Sequence, residues 1–161
     1  SLLMIINDIL DFSKIHSGEV KIQAYDVECL DELNTLISAF AEKAKEKHIK
    51  ITSNFDKNLK KTIHVDFFRV KQILSNVLSN AVKFTPENGE IKVTAYCDTS
   101  EMTISVEDNG AGISKEHQAK VFSAFEQVDG STTRKFGGTG LGLYLSSKLA
   151  TLLDGTLKIK S

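Results

Sequence analysis

Apolar positions in residues 2–16 fall at Leu2, Ile5, Ile9 and Phe12, three and four apart, with Leu3, Ile6 and Leu10 forming an adjoining stripe. That is the period of an α-helix. So wide an apolar face on a terminal helix suggests packing against more than one neighbour, as in a helical bundle. Ser17-Gly18 ends it as a glycine C-cap. The pattern then alternates in EVKIQAY, a strand over 19–25. Leu33, Leu36, Ile37, Phe40 and Ala44 mark the inward face of a helix over 30–48, with Lys43, Lys45 and Lys47 near its C-terminus, where the helix dipole favours them. Strands follow over 49–55 and 62–65. Asp66 is placed to N-cap a further helix, and Pro86 with Asn88-Gly89 closes it. Two more strands are predicted over 90–97 and 101–108. Residues 109–139 hold Gly110, Gly112, Gly130, Gly137 and Gly138, with only a short helical patch over 114–121. A segment this poor in regular structure reads as a functional lid, over about 113–139. A helix from 140 to about 153 and a strand over 155–160 complete the chain. Such an element order predicts an α+β two-layer sandwich, a mixed sheet with helices on one face.

The helix after Asp66 carries an internal contradiction. Phe67, Val70, Ile73, Leu74, Val77, Leu78, Ala81 and Val82 make most of its circumference apolar, as in a buried helix. Yet Arg69, Gln72, Asn76, Asn80 and Lys83 follow one another at offsets of three and four. At about 100° per residue they share roughly 80° of arc. A polar stripe on a buried helix requires polar partners.

Composition changes little in this picture. The chain has 161 residues, 41% hydrophobic and 25% charged, with formal net charge -1. It can build one domain with a core, plus a short appendage, and no basic excess points to nucleic acid or anionic lipid. Cys29 and Cys97 stand alone in sequence and read as reduced thiols of a cytoplasmic protein. No apolar run approaches the ~20 residues of a membrane span, and there is no signal peptide. The chain opens on Ser1 inside a helical pattern, and so reads as a piece of a longer one.

Two further stretches carry chemistry. In DNGAGI (108–113), Asp108 shares strand parity with Met102, Ile104 and Val106, which aims its carboxylate at the interior by the mouth of the core. The Asn-Gly-Ala-Gly turn beyond it lets a flat ligand approach the backbone. In KFGGTGLGLYLS (135–146), glycines run straight into a helix, whose amides and positive dipole end suit phosphate. Neither a Walker P-loop nor the dinucleotide fingerprint fits the spacing or context. Together with the polar stripe these make a nucleotide site. Asp108 accepts from an exocyclic amine, which favours adenine, and the glycines cradle phosphates. Lys83 supplies positive charge, and an Asn oxygen completes the shell of a Mg²⁺.

SNVLSNAVKFT (75–85) resembles the N box of sensor histidine kinases, DNGAGI the first glycine box, VFSAFEQVD the F box and GGTGLGL the second glycine box, in matching order. INDILDFSKIHSGEVKI resembles the second dimerisation helix and its exit into the ATP-binding domain. The resemblance implies a Bergerat-type fold: residues 1–18 end the dimerisation helix and 19–161 form the catalytic domain, lacking its final strand. It implies ATP and Mg²⁺ as cofactors, with Asn80 as the metal ligand and Asn76, Lys83 and Arg134 in catalytic roles. Lys83, Phe84, Asp108, Gly110, Gly112, Ile113, Gly138, Thr139, Gly140, Leu141 and Gly142 would bind the nucleotide. Phe122 and Phe125 would anchor the lid, and Arg134 or Lys135 would reach the γ-phosphate.

Related hydrolases of the superfamily carry a Glu base where this chain has Asn76, and asparagine cannot take a proton. The site is therefore expected to keep the γ-phosphoryl for another nucleophile, which the resemblance implies is a histidine on a dimerisation helix of the same protein. None of His16, His48, His64 and His117 stands in the family's acceptor context, so the acceptor helix is expected outside this chain and the fragment is not expected to autophosphorylate. The expected partners are that phosphoacceptor domain, a second copy in a homodimer, and a response regulator receiver domain. The alternatives are an ATP hydrolase or chaperone-like switch of the same superfamily, which Asn76 argues against, and a non-catalytic scaffold, which the intact Asn80, Asp108 and glycines argue against.

Overall fold

A computed structural model of the protein describes residues 2–126 and 138–161. They divide into two compact units, one of 1–23, 68–76 and 113–161 and the other of 24–67 and 77–112.

The first unit begins with α1, Leu2–His16. Gly18 takes φ +72°, where a side chain would cost energy. Its amide bonds the Ile15 carbonyl at 3.2 Å and the Glu19 amide bonds Lys14 at 2.9 Å, closing the helix as the sequence predicts. No α1 residue is buried; Leu2, Leu3, Met4, Ile9 and Leu10 are each more than half exposed. The same unit holds the first half of α3 (Phe67–Phe84), α4 (Lys115–Gln118) and α5 (Gly142–Leu152). Ser114 caps α4, accepting from the His117 amide at 3.3 Å. Phe12 of α1 packs against Tyr144 of α5, ring centroids 5.6 Å apart.

In the second unit β1 (Tyr25–Glu28) pairs antiparallel with β3 (Thr62–Val65). A separate three-stranded sheet has the order β2-β4-β5, from Lys50–Phe55, Glu90–Cys97 and Met102–Asp108. β2 runs parallel to β4, and β4 antiparallel to β5, so the sheet is mixed. Along β4, Ile91, Val93 and Ala95 are buried while Glu90, Lys92 and Tyr96 are exposed. The buried face carries the helices: Ala44 of α2 (Cys29–Lys45) and Ala81 of α3 form one cluster with Ile49 and Ile91, flanked by Ile51, Val82 and Val106. This is the expected sandwich with helices on one face. Cys29 is fully buried, and burial, reinforced by Cys97, pushes its thiol up to about 11.

Two predicted strands are corrected. Over 19–25, Val20 and Ile22 are half-buried between exposed neighbours, but the ladder begins only at Tyr25. The four residues of β3 offer no backbone partner to anything earlier. Over 155–160, Leu157 and Ile159 are half-buried and Lys158 exposed, again without a ladder among the described residues. Alternation fixes which side chains turn inward; a strand also needs a neighbouring edge. The single expected sheet is likewise divided in two.

Helix α2 ends with His48 at φ +53°, its amide on the Lys45 carbonyl and the Ile49 amide on Ala44, both at 3.0 Å. A left-handed conformation costs a side-chain-bearing residue about 1–2 kcal/mol, part of which glycine gives back as unfolded-state entropy. His48→Gly is therefore expected to stabilise the protein by about 1 kcal/mol, read as a higher urea midpoint at unchanged slope.

Candidate functional site

The stripe on α3 is half-buried at all five positions, Arg69, Gln72, Asn76, Asn80 and Lys83. Within the first unit its partners are protein groups. Arg69 donates to the Gln72 Oε1 at 2.9 Å, and Gln72 donates to Asp11 Oδ2 of α1 at 2.7 Å. Asn76 donates to the Oγ of Ser146 at 2.9 Å. Ser146 is almost wholly buried in α5, one turn beyond Gly142, so both lie on one helical face. A methyl group added at Gly142 would collide with the Asn76 carboxamide. The glycine is therefore required by packing at the start of α5.

The residues preceding α5 are tied down locally. Thr139 donates to Asp8 Oδ2 of α1 at 2.8 Å and accepts from the Leu141 amide at 3.2 Å. Gly140, at φ +69°, passes so close to Phe125 that a Cβ would lie 2.9 Å from that residue's carbonyl carbon. The Phe125 amide bonds the Gly140 carbonyl at 3.1 Å, and its ring meets Phe12 edge-on with centroids 5.6 Å apart. Phe122 is half-buried and Gly138 exposed. Ile113 donates its amide to Ser161 Oγ at 2.8 Å and accepts from Gln118 at 2.7 Å. Arg134 and Lys135, the candidates for the γ-phosphate, lie outside the described residues, as do 127–137 of the expected lid.

The second unit holds Asn80, Lys83 and Phe84 on the last turns of α3, and Asp108, Gly110 and Gly112 at the exit of β5. Asp108 is opposite Ile91 in the ladder, on the inward face as its parity predicts. It is nonetheless exposed, because the strand ends there and none of the described residues covers the last position. The interior carboxylate expected from the sequence is thus a carboxylate at the open end of that face. One oxygen accepts from the Gly110 amide at 2.9 Å, and a carboxylate has capacity for more. A Cβ at Gly110 would lie 2.8 Å from both Asp108 Oδ1 and the Phe84 carbonyl, so Gly110 brings the β5 exit against the end of α3. Gly112 takes φ +74°. The Lys83 ammonium sits 5.1 Å from the Phe84 ring centre, and burial lowers its pKa below the usual 10.5.

Two groups of this unit suit a ligand. The Asn80 carboxamide, half-buried, has no hydrogen-bond partner among the described residues. The Thr85 hydroxyl, in a residue only 1% exposed, has none either. Of the two, the Thr85 hydroxyl is the buried one, and an unpaired buried polar atom is costly until a bound molecule or water meets it. No three His, Cys, Asp or Glu side chains converge as a metal site among the described residues. Thr85, Ser146 and Lys47, which bonds three carbonyls around the end of α3, carry no motif signal that sequence reasoning caught. For Ser146 the spacing of four from Gly142 was available.

Comparison with known proteins matches residues 65–161 to a family described as "Histidine kinase-, DNA gyrase B-, and HSP90-like ATPase". The chain is 39% identical over 165 residues to "Hybrid signal transduction histidine kinase B" of Dictyostelium discoideum, covering 99% of this chain and 8% of that protein. Among solved structures, full-length ShkA in complex with AMPPNP matches 93% of this chain and 30% of its own, with a TM-score of 0.82 and 32% identity. The histidine kinase ThkA in complex with response regulator protein TrrA matches 96% of this chain and 41% of its own, with a TM-score of 0.74 and 27% identity. The chain spans less than a fifth of the length of the curated relatives it matches.

The contact between Gly142 and Asn76 gives an expected outcome of definite sign. Alanine is the better helix former by about 1 kcal/mol, yet Gly142→Ala is expected to destabilise by about 1–3 kcal/mol through overpacking. In an Asn76→Ala background the same substitution should become neutral or stabilising. A urea double-mutant cycle measures this, and additivity of the two changes would contradict the contact.

Proposed function

The chain belongs to the histidine kinase-, DNA gyrase B- and HSP90-like ATPase family, as a catalytic ATP-binding domain of the histidine kinase type, and we propose that it transfers the γ-phosphoryl of Mg-ATP to a histidine on a dimerisation helix of its own protein. Asp108 accepts the adenine exocyclic amine. Lys83 and the glycine-rich residues 138–142 meet the phosphates, with Phe84, Gly112 and Ile113 beside the nucleotide. Asn80 is the protein ligand of Mg²⁺, which when bound neutralises charge on the transferring phosphate. Arg134 or Lys135 contacts the γ-phosphate. In the transfer a bond forms between the γ-phosphorus and an imidazole nitrogen, the bond to the bridging oxygen breaks, and ADP leaves with that oxygen.

The observation that carries this reading is the Asn80 carboxamide, half-buried and unpartnered among the described residues on the same stripe as Lys83. Asn76 is held by Ser146 and cannot accept a proton, which favours transfer to histidine over hydrolysis of water. The exposed apolar residues of α1 suit pairing with a second copy, and the ThkA–TrrA complex supports a receiver domain as the next acceptor. No helix among the described residues is long and apolar enough to cross a membrane; a cytoplasmic setting is part of the proposal.

Mixing this chain and Mg-ATP with a separate dimerisation domain is expected to put acid-labile phosphate on its histidine. Asp108→Asn should weaken ATP binding at least about tenfold, through loss of a charged hydrogen bond. Failure of the wild type to bind ATP would overturn the reading.

Lys83 adds a pH dependence. Burial disfavours its charged form in the folded state, so the unfolded chain binds more protons between the lowered pKa and 10.5. Stability of the free domain therefore gains from Lys83 as pH rises through that window. Affinity for ATP runs the other way, since the phosphates need the ammonium. Titration calorimetry from neutral pH upward should show binding weaken as Lys83 deprotonates, and Lys83→Arg should flatten the profile.

A further inference from the structure

Helix α3 ends against a proline. Thr85 donates its amide to the Ala81 carbonyl at 2.9 Å, but Pro86 has no N–H for the carbonyl of Val82, the next acceptor in the ladder. The missing donor is supplied from another element. Lys47 Nζ, just beyond α2, donates to the carbonyls of Val82 at 2.8 Å, Lys83 at 3.2 Å and Thr85 at 2.5 Å. An ammonium has three protons, and here each has an acceptor. The backbone of the same residue completes the clamp: the Lys47 carbonyl accepts from the Asn88 amide at 3.0 Å, on the far side of Pro86.

These carbonyls belong to the turn that carries Lys83 and Phe84. The C-terminal end of a helix holds about half an elementary negative charge, a poor neighbour for a triphosphate. A cation seated on those carbonyls offsets that charge at the turn that carries Lys83.

Resting on the nucleotide reading above, we infer that Lys47 is a positioning residue of the nucleotide site, orienting the last turn of α3 and cancelling its dipole toward the phosphates. Its influence grows with the charge of the bound nucleotide. A loss that came only from a displaced turn would persist in Lys47→Arg or fall equally on ATP, ADP and AMP.

The test titrates ATP, ADP and AMP at fixed Mg²⁺ into the wild type, Lys47→Met and Lys47→Arg. Lys47→Met keeps the apolar stem and is expected to weaken ATP about tenfold, ADP less and AMP least, while Lys47→Arg, which retains the charge, is expected to restore the affinities. If Lys47→Met folds poorly, the double variant with Pro86→Ala is titrated instead, since it returns a backbone N–H at position 86. Equal losses for the three nucleotides, or none, overturn this inference alone. A wild type that binds none of the three overturns the nucleotide reading and this inference with it.

Discussion

A stripe of amide and cationic side chains on an otherwise apolar helix must find hydrogen-bonding partners or leave polar atoms stranded away from water. In α3 the stripe is answered in two ways. Its first half is satisfied by protein: Gln72 by Asp11 and Asn76 by Ser146. In its second half Asn80 stays half-buried, and at the end of the helix the Thr85 hydroxyl is buried without a partner among the described residues. The helix thus bonds to protein groups at one end and, in the proposed reading, is left for the nucleotide at the other, the change falling between two asparagines four residues apart.

Close backbone approach follows from the same helix. Gly142 leaves room for the Asn76 carboxamide, and Gly110 lets the β5 exit reach the Phe84 carbonyl. Glycine in these boxes does more than free the backbone beside a ligand. At these two positions it is demanded by protein contacts that hold asparagine and aspartate where the nucleotide reading needs them.

Electrostatics at the end of α3 is arranged rather than incidental. Pro86 removes a backbone donor, Lys47 replaces it, and the replacement carries charge. Lys83, a few ångströms from the Phe84 ring, is partly desolvated, and burial lowers its pKa.

Periodicity alone determined the helices at 2–16 and 67–84, the paired strands β4 and β5, and the helix-favouring face of the sheet, because local sequence sets which side chains share a face. Motif order determined the family and the candidates Asn80, Lys83 and Asp108. Of the strands expected over 19–25 and 155–160, only Tyr25 has a ladder partner among the described residues, since no local pattern says whether a neighbouring edge will be present. Parity placed Asp108 on the inward face, but only the ending of the sheet decided that this position is open. Lys47 reads in sequence as a cation for its own helix; in the fold it serves the carbonyls of another, 35 residues away. Which donor meets which acceptor across such a separation is decided by packing, and packing is the one property that a linear pattern does not contain.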